Sequence, residues 1–120
     1  MFLGCSLTMG FGLPIESTWP ELVSKNLNMR CANLGIGGSA SDTAFRLCHG
    51  WIDIVKPKIV IFLEPPGFRL ELVNSKVTKI INIHSIETVK PFVKEWIADD
   101  NNSYFNSQKN QLGMKSLCND

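Results

Sequence analysis

The chain has 120 residues, 44% of them hydrophobic and 19% charged, with a formal net charge of +1. That length builds a single domain, and a charge so near neutral offers no concentrated basic face for nucleic acid or an anionic membrane. No apolar run approaches the roughly 18 residues of a spanning helix, and no basic stretch precedes a long apolar core, so no secretory leader is expected and the setting is read as cytoplasmic.

In chain order, the apolar opening Met1-Phe2-Leu3 stops at Gly4 and reads as a strand. It runs into a loop of small hydroxyl residues and glycines, Gly4 to Gly12. Thr18-Trp19-Pro20-Glu21 then reads as a helix start, with Thr18 as N-cap, Pro20 in the first turn and Glu21 closing a capping box. This helix is expected to reach about Leu27, and Met29 to Leu34 to form a short strand. After the turn Gly35 to Ser39, Ser41 or Asp42 should cap a second helix. Its residues Phe45, Cys48, Trp51, Ile52 and Val55 share one face, and Lys56-Pro57 ends it.

Lys58 to Glu64 is a continuous β-branched and apolar run, the pattern of a strand buried on both faces. Beyond it, Phe68, Leu70 and Leu72 alternate with Arg69 and Glu71, as in an edge strand or hairpin arm whose partner would be Val77 to Ile83. Ile86 to Ala98 reads as a helix with Pro91 in its first turns. Asp99 to Ser103 reads as a polar break, with Ser103 capping a last helix to about Leu117.

The order β-α-β-α-β, with crossovers suited to parallel pairing, predicts an α/β fold. Its expected form is a three-layer α/β/α, flavodoxin-like, doubly wound parallel sheet. The loops Gly4 to Gly12, Gly35 to Ser41 and Glu64 to Arg69 would then open on one edge of that sheet, where ligands bind beside the strand at which the order reverses. The first strand is the expected switch point, which puts Ser6 at the centre. Acyl transfer needs a hydroxyl nucleophile and N–H donors aimed at the developing oxyanion, and the second loop can supply one from Gly38.

The four cysteines, Cys5, Cys31, Cys48 and Cys118, lie far apart without a C-x-x-C pair. They read as reduced thiols rather than metal ligands. Cys48 and His49, being adjacent, cannot aim at one ion from a regular helix. No metal is expected.

Gly4-Cys5-Ser6-Leu7-Thr8-x-Gly10 resembles the nucleophile block of the SGNH (GDSL-type) hydrolases, and Asn33-Leu34-Gly35-Ile36-Gly37-Gly38-Ser39 is similar to their second block. Lys58 to Leu63 matches the strand that leads into the third block. The resemblance covers residues 1 to about 70. It implies Ser6 as nucleophile, the Ser6 amide and Gly38 as oxyanion donors, and hydrolysis of a small-molecule ester, thioester or acetylated sugar without a cofactor.

The departures are specific. Cys5 stands where that family usually has Asp before its serine. The third block, normally ending Gly-x-Asn-Asp, is replaced by Glu64-Pro65-Pro66-Gly67, and proline has no N–H to take the place of the asparagine donor. Losing one such donor commonly costs about two to three orders of magnitude in rate. The closing Asp-x-x-His block is absent, and no histidine follows His84. A serine hydroxyl is a weak nucleophile without an adjacent base, and His49 and His84, the available imidazoles, sit in no recognisable block. With a short first strand and three main strands where such sheets usually have five or more, residues 1–120 read as a single domain that is the N-terminal portion of a larger one. An exposed sheet edge, and self-association through it, would follow.

Plainer roles stand beside these. Ser6 and Thr8 can simply satisfy turn backbone. Trp19, Trp51 and Trp96 read as packing anchors. Arg69 can meet an anionic substrate group or pair with Glu64 or Glu71. Two alternative functions share the pattern: a flavodoxin-like binder that cradles a phosphate in the first loop, and a hydrolase-like domain kept for interaction without catalysis.

Overall fold

Met1, Phe2 and Leu3 form the seam around which the chain is organised. The computed structural model describes residues 1–73, 78–82 and 91–119, the second range in backbone only. Strand β1 (Phe2–Leu3) pairs in parallel with β2 (Ile61–Phe62), in the register Phe2 to Ile61 and Leu3 to Phe62. Its other side meets Asn33 through a parallel bridge from Phe2. The Phe2 amide donates to the Ala32 carbonyl at 2.8 Å and the Leu63 amide to Leu3 at 2.9 Å. β1 therefore has a neighbouring segment on each side.

Successive strand residues point to opposite faces, and the two residues of β1 meet different helices. The Phe2 ring packs edge-on against Trp19 of α2 (Trp19–Asn26), centroids 5.2 Å apart. Leu3 is fully buried in a cluster with Ala44 and Cys48 of α3 (Ser41–Val55) and Met114 of α5 (Asp100–Leu117). The remaining elements are the one-turn α1 (Ser6–Met9), a 3-10 turn at Ile15–Ser17, the antiparallel hairpin β3 (Arg69–Val73) with β4 (Thr78–Asn82), and α4 (Pro91–Ala98). The result is a mixed α and β structure with a small parallel sheet and several helices.

The structure corrects several local expectations. Thr18 occupies the N-cap of α2, but its hydroxyl donates to the Ile15 carbonyl at 2.8 Å, so no capping box closes there. Ala40, not Ser41 or Asp42, is the N-cap of α3, with the Thr43 hydroxyl reaching back to accept from the Ala40 amide at 3.3 Å. Met29 to Leu34 contributes a bridge rather than a strand. The Lys58 to Glu64 run yields only Ile61–Phe62 as strand, and both residues are half-buried. Its edge position explains this: among the described residues β1 flanks it on one side only. The 69–73 arm pairs as expected, Arg69 with Asn82 through Val73 with Thr78. Asp99, not Ser103, caps α5, its carboxylate accepting from the Asn101 amide at 2.8 Å. The part of the expected helix before Pro91 lies outside the described residues.

No helix among the described residues is long and apolar enough to cross a membrane.

Candidate active site

Leaving β1, the chain turns at Gly4 with φ +154°, a conformation that side-chain-bearing residues rarely adopt. A Cβ there would lie 2.2 Å from the Thr8 hydroxyl and 2.8 Å from the Leu63 carbonyl. This turn starts α1, with Cys5 as its N-cap and Ser6 as its first residue. The turn is closed by Gly10, whose amide donates to the Ser6 carbonyl at 3.0 Å. Ser6 is half-buried at the carboxyl edge of the central strand.

The second loop is laced onto the first. The Ile36 amide and the Ser39 hydroxyl both donate to the Gly4 carbonyl, at 3.1 and 3.0 Å. Asn33 spans the two loops: its side-chain amide donates to the Thr8 carbonyl at 2.8 Å, and its side-chain oxygen accepts from the Gly35 amide at 3.0 Å. The approach is so close that a Cβ at Gly35 would fall 2.4 Å from the Met9 backbone nitrogen. Gly38 has φ +75° and faces open space.

From the third loop comes Arg69, which donates to the Ser39 carbonyl at 3.2 Å and stands 5.8 Å from the Phe68 ring centroid. Its expected pairings with Glu64 and Glu71 are replaced by others. Glu64 accepts from Gln111, and Glu71 is held by Arg46 at 2.8 and 2.9 Å. Arg69 bears instead on Cys5. Burial raises the Cys5 thiol, but the Leu7 amide, the Ser6 hydroxyl and the Arg69 guanidinium together bring it below its ordinary value. The side-chain nitrogen of Arg69 nearest its backbone is buried without a hydrogen-bond partner among the described residues, as is the Thr8 hydroxyl.

Among the described residues no base hydrogen-bonds the Ser6 hydroxyl. His49 sits exposed on α3 beside Phe45, ring centroids 6.5 Å apart, and His84 lies outside the described residues. Pro65 is buried at the end of the third strand segment. The four cysteines are all free thiols, and no cluster of metal-ligating side chains forms among the described residues. Trp19 fills its packing role against Phe2, whereas Trp51 is 42% exposed and anchors nothing comparable.

No protein-family model matches the sequence, and no curated protein matches it. Among solved structures it is similar to a mutant of the esterase AlinE4. That match has 22% identity and a TM-score of 0.48, covering 56% of this chain. The chain spans about 41% of the length of that esterase chain.

Two features of the region escape a reading of the sequence. One is the part taken by Cys5, brought against Arg69 only by the fold. The other is a polar seam behind the second loop. The Asp42 carboxylate accepts from Asn106 at 3.0 and 3.1 Å, from Asn110 at 2.9 Å and from the Glu71 amide at 3.2 Å. Asn110 also donates to the Ser41 hydroxyl at 3.0 Å. Asn106, Asn110 and Met114 recur every four residues on α5, a periodicity that marks a buried face even though its first members are polar.

Proposed function

We propose that this chain carries the nucleophile half of a serine ester-hydrolase site of the SGNH type, on a three-layer, doubly wound α/β scaffold. Ser6 is the nucleophile, its own amide and that of Gly38 are oxyanion donors, and Arg69 is the cation that a negatively charged substrate group would meet. The observation that carries the reading is the placement of Ser6. It opens a single helical turn at the carboxyl edge of the central parallel strand, with the glycine-rich second loop hydrogen-bonded directly to the turn beside it.

The Ser6 amide, the first of that turn, has no intrahelical partner, so it is available to an oxyanion. Gly38 stands with open space where a Cβ would project. Pro65 leaves the third donor absent, and the described residues hold no base against Ser6, so slow turnover is expected from them. The chemistry would be attack of the serine oxygen on an acyl carbon, with departure of the alcohol and release of the acyl group by water.

A fluorophosphonate probe and p-nitrophenyl acetate test this directly. Ser6 should take the probe, and Ser6→Ala should abolish labelling and reduce hydrolysis to the buffer rate. Hydrolysis and labelling that survive Ser6→Ala unchanged would remove the assignment. Absence of any labelling would favour a hydrolase-like scaffold that no longer catalyses.

A further inference from the structure

Helices α3 and α5 run side by side in the same direction, and their contacts step along both in register. At the start of α3, Asn110 donates to the Ser41 hydroxyl at 3.0 Å. One turn on, Gly113 faces Phe45 so closely that a Cβ on the glycine would lie 2.6 Å from the ring. Met114 then packs with Ala44 and Cys48 in the buried core.

The same register brings two thiols together. Cys118 follows Met114 by one turn and so lies on the same face of α5. Its backbone keeps the helical conformation, with φ −88° and ψ −11°, and its amide donates to the Met114 carbonyl at 3.1 Å. Cys48, one turn after Ala44 on α3, is fully buried, and its thiol is hydrogen-bonded to that of Cys118. The other two cysteines are engaged elsewhere, Cys5 by Ser6 and Arg69, and Cys31 by Ser24 and Glu21. A disulfide spans only about 3.8 Å between Cβ atoms, and the bare Gly113 backbone lets the two helices approach closely just before the cysteines meet.

We propose that Cys48 and Cys118 are a dithiol site that a low-molecular-weight disulfide of the glutathione class converts into a cross-link between α3 and α5. Cys48 is fully buried, so the first step falls to Cys118. The Cys118 thiolate attacks one sulfur of the small disulfide, whose S–S bond breaks and releases one small thiol. The Cys48 thiol then loses its proton and attacks the Cys118 sulfur of the mixed disulfide, displacing the second small thiol. One S–S bond forms in the protein, one breaks in the reagent, and the two thiol protons end on the two released thiols. Burial, then Cys118, holds the Cys48 thiol up at about 11, which suits it to the resolving step rather than the attacking one.

The cross-link closes a loop of about 70 residues, and a loop of that length removes much of the unfolded chain's freedom. Within it lie β2, the hairpin and α4. It also fixes α5 to the helix whose first residues follow the second loop. The inference does not rest on the ester-hydrolase reading, since neither thiol belongs to the Ser6 site.

The test is to incubate the full chain under native conditions with oxidised glutathione, quench with acid, alkylate the remaining thiols and map the unreduced peptides by mass spectrometry. The expected product is a peptide pair joined through Cys48 and Cys118, with Cys5 and Cys31 alkylated. Thermal melts of the oxidised protein should show a Tm about 10 °C above that of the reduced protein, reversed by dithiothreitol. Cys118→Ser should lose both the linked peptides and the rise in Tm, whereas the double variant Cys5→Ser with Cys31→Ser should keep both. The proposal fails if the reaction stops at a glutathione adduct on Cys118, or if the dominant cross-link joins other cysteines or two chains. It fails equally if the Cys48–Cys118 cross-link forms without raising Tm, since the bond is then made by a distorted fold rather than by the native packing of α3 on α5.

Discussion

The two ends of the same three parallel segments differ in how their backbone groups are used. At the carboxyl end, the Gly4 carbonyl takes two donors, Asn33 spans two loops, and Arg69 ties the third loop to Ser39. At the amino end, the Ala32 and Ile59 amides line an open slot ringed by cations. A tightly laced end holds side chains in place, as a nucleophile and its oxyanion donors require.

The largest expected effect probes the laced end. Gly4→Ala places a Cβ against Thr8 and Leu63 at a φ unfavourable to alanine, and should destabilise the fold by about 3 kcal/mol. Lys58→Ala, at the open end, should change stability by no more than about 0.5 kcal/mol. Urea melts of both variants give the contrast, and equal losses would erase the distinction between the two ends.

Arg46→Gln sharpens the comparison from behind the second loop. The Glu71 side chain is 2% exposed and Arg46 44% exposed. The substitution therefore strands a buried carboxylate while freeing an arginine that water already reaches. With the Thr43 hydroxyl still donating to Glu71 at 3.1 Å, a loss of about 2 kcal/mol is expected in the same melts.

A pH-dependent effect concerns the core beneath both ends. Burial first, then the neighbouring Cys118, pushes the Cys48 thiol up to about 11 from 9.0. The folded state thus holds this proton more tightly than the unfolded chain. Its contribution is complete below pH 9 and is lost as the pH climbs through about 11. Stability should fall across that window, and Cys48→Ala should flatten the fall. An identical slope in both proteins would show that Cys48 carries none of it.

The parallel pairing of the opening residues with the 58–64 run, the hairpin at residues 69–73 and 78–82, and the helices around Trp19, Ser41 and Pro91 were legible because local patterns govern them. Glycine punctuation, β-branched runs and apolar periodicity act over a few residues. Capping bonds were less legible, although Thr18 does stand at the N-cap of α2. Thr18, Ser41 and Ser103 are all competent N-caps by residue type, yet Thr18 bonds Ile15, Ser41 receives Asn110, and Asp99 caps the last helix. The Thr18 and Asp99 bonds are local, spanning three and two residues, whereas Ser41 is engaged by tertiary packing against α5.

What the sequence determined by itself was the strand that stops at Gly4 and the glycine turn after Leu34, since the residue types there permit few backbone alternatives; the helical turn Ser6–Met9 lies inside what reads as a loop. Tertiary structure alone decided that Arg69 bears on Cys5 rather than on a carboxylate and that α5 turns a polar face to Asp42. Those outcomes depend on which segments become neighbours across dozens of residues, and long-range packing of that kind leaves no periodic signature in the chain.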